Sequence, residues 1–199
     1  MDEVRAIIDG VDWNCEVLRN FAPANLGCKK RISSGLDWVF REVEEAIILE
    51  DDCLPHPSFF RYCQELLERY RQDTRVMSIS GDNFQGGWRR SEFSYYFSQN
   101  PHIWGWATWR RAWQLYDVDM KFWPLIRRGG WMHDLFHGRR TGFWTSVFQN
   151  TWEGRIGTWD FQWAFACRIH NGLSILPAVN LVRNIGFCGE ATHTGVSSS

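Results

Sequence analysis

The segment AIILEDDCLP, residues 46–55, constrains this chain more than any other part of it. A short, continuous apolar run reads as a strand buried on both faces of a parallel sheet. It ends in Glu50, Asp51 and Asp52. Adjacent carboxylates repel, so packing them together requires compensation. In an open α/β sheet, ligands bind in the crevice beyond the carboxyl ends of the strands. A hard divalent cation suits such a place: Mg²⁺ takes about one or two protein carboxylates and fills its other positions with water and phosphate. Mn²⁺ accepts similar oxygen ligands. The plainer alternative is a solvated loop with a helix cap, but a buried strand before the acids and Pro57 after them favour a ligand site.

The surrounding pattern is α/β. Residues 2–10 read as a helix, and CEVLRNF (15–21) as a strand. Ile32, Leu36, Val39, Phe40 and Val43 recur at helical spacing over 28–44. Phe59, Phe60, Cys63, Leu66, Leu67 and Tyr70 mark one apolar face of a helix over 58–72. RVMSIS (75–80) is a further strand. Strand and helix alternate to this point, as in a doubly covered sheet. Beyond it, SYYFS (94–98) is a strand, GWATWRRAWQLY leads into a helix at 109–116, and 119–157 is helix with loops. A helix over 159–172 ends at Asn171-Gly172, a good stop. LSILP and NLVRN are short strands, and 196–199 is a tail.

Composition excludes some function classes. Among 199 residues the formal net charge is −1, which gives no reason to expect nucleic acid as partner. No apolar run approaches the ~20 residues of a membrane span. The charged start, MDEVRAIIDG, has no signal-peptide pattern. The six cysteines form no C-x-x-C pair and no zinc spacing, and read as reduced, mostly buried thiols. A cytoplasmic protein is expected, with peripheral attachment at the inner membrane face as the variant. The thirteen tryptophans are assigned mainly to the core, with a few left to stack on a ligand.

IILEDDCLPHPSFF resembles the metal-binding segment of GT-A nucleotide-sugar glycosyltransferases, most closely the N-acetylglucosaminyltransferase I-like branch and its bacterial relatives. ISGDNF (79–84), IWGWATWRRAW (103–113), WDFQW (159–163) and NLVRNIGF…ATHT (180–194) follow in the order of that branch. The resemblance spans residues 4–195. It implies a single GT-A-like domain over 1–199, with a nucleotide- and metal-binding half (1–98) and an acceptor-side half (99–195). The sheet implied is mixed and mainly parallel, with flanking helices. The family's first strand, which would precede residues 2–10, is not found in this sequence, so the nucleotide pocket is expected to be truncated at its front.

The resemblance implies a metal-dependent, inverting transfer of a sugar from a nucleotide-diphosphate donor, such as a UDP-sugar, to a hydroxyl acceptor, a glycan among others. It gives Asp52 the role of ligand to Mn²⁺ or Mg²⁺, with His193 completing the metal shell. It puts Asp51 near the ribose or the metal's waters and makes Glu50 a support of the loop. Asp160 stands for the general base, although Phe161 takes the place of a second acid and one extra residue separates the tryptophans. A helix N-cap is the plainer role for Asp160. Asp82 and Asn83 would hydrogen-bond the donor sugar. Gly105 would admit the donor to the backbone, and Trp104 or Trp106 would pack against sugar rings. Asn25 and Gly27 match an N-x-G turn near the nucleotide. The alternative function is a truncated, non-catalytic GT-A domain that binds a glycan or a partner protein.

Overall fold

The computed structural model describes residues 2–89, 91–138 and 140–186. Its elements are α1 (Asp2–Asp9), α2 (Gly27–Glu42), β1 (Glu45–Ile48), β2 (Cys53–Pro55), α3 (Pro57–Tyr70), β3 (Val76–Ser80), β4 (Tyr95–Ser98) and β5 (Trp106–Trp109). The second half adds α4 (Arg110–Trp113), α5 (Trp123–Arg128), α6 (Met132–Leu135), α7 (Thr141–Trp152), α8 (Asp160–Ile169), β6 (Leu173–Pro177) and β7 (Val182–Asn184). The fold is α/β, with a five-stranded mixed sheet in the order β1-β5-β3-β6-β4 and a two-stranded ribbon of β2 and β7.

The sheet is mostly antiparallel, not mainly parallel as expected. Only β3 and β6 run parallel; β1–β5, β3–β5 and β4–β6 are antiparallel pairs. The apolar run of β1 misled on direction for a definable reason. Ala46 and Ile48 pack against one core cluster and Ile47 against another, so both faces are covered, as the run implied. Burial on two faces reports the layers above and below the sheet and carries no information about strand polarity. β1 also lies at the sheet's end, pairs with β5, and is half-buried along its length.

CEVLRNF forms no strand. Residues 15–21 have no regular structure, with Leu18 and Phe21 about half exposed. Cys15, Val17 and Phe21 alternate, but Arg19 falls on the same face and pairs with Asp9 at 2.7 Å, so that face is not continuously apolar. Arg31 holds it by side-chain hydrogen bonds to both the Oδ1 and the backbone carbonyl of Asn20.

Two cores sandwich the sheet. On one face Leu36 and Phe40 of α2 meet Trp106, Trp113, Trp159 and Trp163. On the other, Phe59, Cys63, Leu66 and Leu67 of α3 cover Val76, Ile79, Ala107 and Ile175. A third cluster joins α5, α6, α7 and α8 through Trp123, Ile126, Met132, Phe148 and Phe165. Six of the thirteen tryptophans are buried, fewer than the assignment mainly to the core implied, and Trp13, Trp88, Trp131 and Trp152 are exposed. The five described cysteines are free thiols, but only Cys63 and Cys167 are buried. Among the described residues, no helix is long and apolar enough to cross a membrane.

Helix ends follow local chemistry. Pro57 opens α3, and the His56 side chain accepts a hydrogen bond from the Ser58 N–H as its cap. After α8, Asn171 adopts φ +53°, and the Gly172 N–H donates to the Cys167 carbonyl at 2.7 Å. A Cβ on Gly172 would lie 2.2 Å from the Met77 sulfur, so this stop also fits α8 against β3. The tryptophan cluster is the main mechanical support of this half. Trp163→Ala is expected to lower the unfolding free energy by about 3–5 kcal/mol, measured in urea. A loss below about 1 kcal/mol would mean that the cluster fills space without holding the helix.

Candidate functional site

The three acids of the opening segment sit in a tight turn. The Cys53 N–H donates to the Glu50 carbonyl at 3.0 Å, which leaves Asp51 and Asp52 at the turn's two central positions. Their environments differ. Asp51 is exposed, while Glu50 and Asp52 are half-buried. The β2–β7 ribbon brings Asn184 opposite Cys53. The Asn184 side-chain amide donates to Asp52 Oδ2 at 2.9 Å, and the Ile185 N–H donates to the Asp52 carbonyl at 2.8 Å. A Cβ on Gly186 would stand 2.7 Å from Asp52 Oδ2, so glycine there leaves the carboxylate its place.

Asp160 joins this group from far along the chain. It opens α8, and its Oδ1 accepts a hydrogen bond from the Thr158 hydroxyl. Burial pushes its carboxyl above the ordinary range. Glu50 feels Asp52 and Asp160 directly. Burial first, and then the charges of Asp52 and Asp160, raise the Glu50 carboxyl to about 7, with the Trp159 side chain opposing the rise. One Glu50 oxygen, Oε1, is buried with no hydrogen-bond partner. Cys28, in the first turn of α2, is also within electrostatic reach: burial, then Glu50 and Asp160, raise its thiol. The end of β1, the start of α2 and the start of α8 therefore meet around one acidic patch.

The cation that the resemblance implies fits this donor set in kind. Carboxylate oxygens are the right ligands, and a buried, unpartnered carboxylate oxygen has a use for a positive charge. Among the described residues no three His, Cys, Asp or Glu side chains are grouped closely enough to hold a metal by themselves. Mg²⁺ or Mn²⁺ held by about one or two carboxylates, with phosphate and water, needs no such trio. His193 lies outside the described residues.

Other sequence-predicted positions serve the scaffold. Asn25 Oδ1 accepts the Gly27 N–H at 2.8 Å, and Gly27 has φ +71°, so this pair sets the start of α2. Asn83 is engaged at both ends of its amide: its Nδ2 donates to the Pro177 carbonyl at 2.6 Å, and its Oδ1 accepts the Gln85 N–H at 2.7 Å. Gly105 has φ +64°, and a Cβ there would lie 2.7 Å from Val182 Cγ2. Its lack of a side chain is thus explained by packing. Trp106 is wholly buried and stacks on Trp159 at 5.5 Å between ring centroids, so it cannot pack against a sugar. Asp82 is buried, with His102 Nδ1 3.1 Å from its Oδ2.

Sequence reasoning missed three members of the site. Asn184 lies in the NLVRNIGF block, and the β2–β7 pairing that brings it to Asp52 left no local mark. Trp159 flanks Asp160, yet nothing in WDFQW says that its indole reaches Glu50. Cys28 was read only as a thiol. Comparison with models of known protein families gives no match to this chain, and comparison with curated protein sequences gives none either.

The raised Glu50 carboxyl makes stability fall with pH. Between about 4.5 and 7 the folded chain keeps a proton that the unfolded chain has released. Any penalty is absent below the lower value and complete above the upper one. In metal-free buffer, Glu50→Gln is therefore expected to melt higher than the parent at pH 8, with the difference closing near pH 4.5. Melting curves that keep a constant offset across that range would contradict the assignment.

Proposed function

We propose that the acidic patch is the active site of a metal-dependent inverting glycosyltransferase of GT-A type, acting on a nucleotide-diphosphate sugar such as a UDP-sugar. The single observation that carries the reading is that Glu50 feels the charges of both Asp52 and Asp160. Asp160 is over a hundred residues from the other two in the chain, and the two segments each resemble a functional block of that family.

The chain's own residues account for the division of labour. Asp52 is held by Asn184 and has the place of the cation ligand, with Glu50 behind it. A divalent cation bound there would neutralise the charge that develops on the leaving diphosphate. Asp160 has the place of the general base. Thr158 engages its Oδ1, which leaves Oδ2 for the acceptor. Burial raises its basicity, which favours proton uptake by a carboxylate that is otherwise a weak base. In the reaction, the acceptor oxygen forms a bond to the anomeric carbon from the face opposite the diphosphate. The bond from that carbon to the diphosphate oxygen breaks, and the nucleoside diphosphate leaves with the electron pair. The acceptor's proton passes to Asp160. Trp159 keeps the base in register, because the residue that stacks on Trp106 in the core also immediately precedes Asp160 at the start of α8.

Two measurements test the reading separately. Calorimetric titration with UDP is expected to show binding that requires Mn²⁺ and that is lost in Asp52→Ala. Sugar transfer or donor hydrolysis is expected to fall by about 10²–10⁴-fold in Asp160→Asn, with UDP binding retained. Turnover that survives both substitutions would overturn the proposal. Glycan binding with no metal-dependent UDP binding would point instead to a non-catalytic module.

A further inference from the structure

One strand away from the acids, a second polar pair is buried at the same end of the sheet. Ile48 of β1 and Ser80 of β3 both lie opposite Trp106 of β5. The chain therefore leaves β1 towards Glu50 and β3 towards Asp82 at one level, two strand spacings apart, or roughly 10 Å. Asp82 is only 1 % exposed, and neither of its carboxylate oxygens has a hydrogen-bond partner. His102 Nδ1, 3.1 Å from Asp82 Oδ2, is likewise buried and without another partner. The two groups stand at ion-pair distance. A buried carboxylate is costly unless paired, and His102 is the group placed to pair with it.

The backbone that carries the imidazole is held firmly. The His102 backbone N–H donates to Ser80 Oγ at 3.0 Å, and the same hydroxyl donates back to the His102 backbone carbonyl at 2.9 Å. The ring packs against Phe84, with centroids 4.9 Å apart. Phe84 is 58 % exposed and meets Trp104 edge-on at 4.8 Å. A carboxylate facing Nδ1 keeps the proton on that nitrogen, so the neutral ring offers Nε2 as an acceptor. About a fifth of the His102 side chain is exposed, and Nδ1 is not part of that fraction. A fixed hydrogen-bond acceptor beside an exposed aromatic face is the chemistry that recognises a sugar ring, whose hydroxyls donate while its C–H face lies on the aromatic.

We infer that Asp82, His102 and Phe84 form a sugar-binding subsite beside the acidic patch, so that the acceptor is a glycan. His102 Nε2 accepts a hydrogen bond from a sugar hydroxyl, Phe84 stacks on the ring, and Asp82 positions His102 without touching the ligand. The term acceptor rests on the transfer reading above; the subsite itself needs neither nucleotide nor metal.

Long-range ¹H–¹⁵N spectra of the imidazole, assigned through the signals lost in His102→Gln, are expected to show the Nδ1–H tautomer at neutral pH. Asp82→Asn is expected to abolish that preference. Millimolar methyl β-glucoside, methyl β-galactoside and methyl N-acetyl-β-glucosaminide are the probes, added without Mn²⁺ or UDP. At least one is expected to shift the His102 resonances, and its binding should weaken about three- to tenfold in His102→Ala and in Phe84→Ala. An Nε2–H tautomer, no response to any of the three glycosides, or binding unchanged in both variants would overturn the inference. Sugar binding that persists in a chain showing no metal-dependent UDP binding would remove the transfer reading and leave the subsite standing.

Discussion

The indole of Trp159 links the core to the chemistry. Its ring stacks on Trp106 at an interplanar angle of 22°, inside the cluster that supports one face of the sheet. Its indole lies close enough to Glu50 to oppose the rise of that carboxyl, and its carbonyl accepts a hydrogen bond from the Tyr116 hydroxyl at 3.2 Å. The next residue is Asp160. One buried side chain thus fixes the distance between the end of β1 and the start of α8. Without that link the two acidic segments would be positioned by separate elements, and a catalytic geometry held to within an ångström would have no rigid frame.

The same linkage explains why the site carries strain in its charges. Glu50, Asp52 and Asp160 are drawn together by packing that is indifferent to charge, and burial adds to their mutual repulsion. A protein pays for such crowding in stability and keeps it where the charge has a use. The hydrogen bond from Asn184 to Asp52 and the one from Thr158 to Asp160 orient the carboxylates without neutralising them. Among the described residues, no donor reaches Glu50 Oε1, so these residues do not complete the cluster.

Much of the architecture was legible in the residues. The helices α2, α3 and α8 follow from apolar spacing and from Pro57 and Asn171-Gly172 at their ends, because these signals are local. The direction of β1 and its pairing with β5 were not legible, since an apolar run covered on both faces looks alike in parallel and antiparallel sheets. The strand expected over 15–21 failed for another reason: its composition suits a strand, but Arg19 interrupts the face that Cys15, Val17 and Phe21 would share. In the site, the acids themselves could be read from EDD and WDFQW. Their partners could not, because Asn184 and Trp159 reach them through strand pairing and packing between distant segments. Gly105, Asn83 and Trp106 looked like ligand contacts and are accounted for by packing and loop closure.

The central claim is that Asp52 and Asp160 belong to one cation-dependent nucleotide site. A crystal structure with UDP and Mn²⁺, located by its anomalous scattering, tests it most directly. The account predicts Mn²⁺ within about 2.0–2.3 Å of an Asp52 oxygen. It also predicts the diphosphate on the metal's far side and the Asp160 carboxylate facing the same cavity. Mn²⁺ and UDP bound elsewhere, or UDP bound with Asp52 uninvolved, would contradict it.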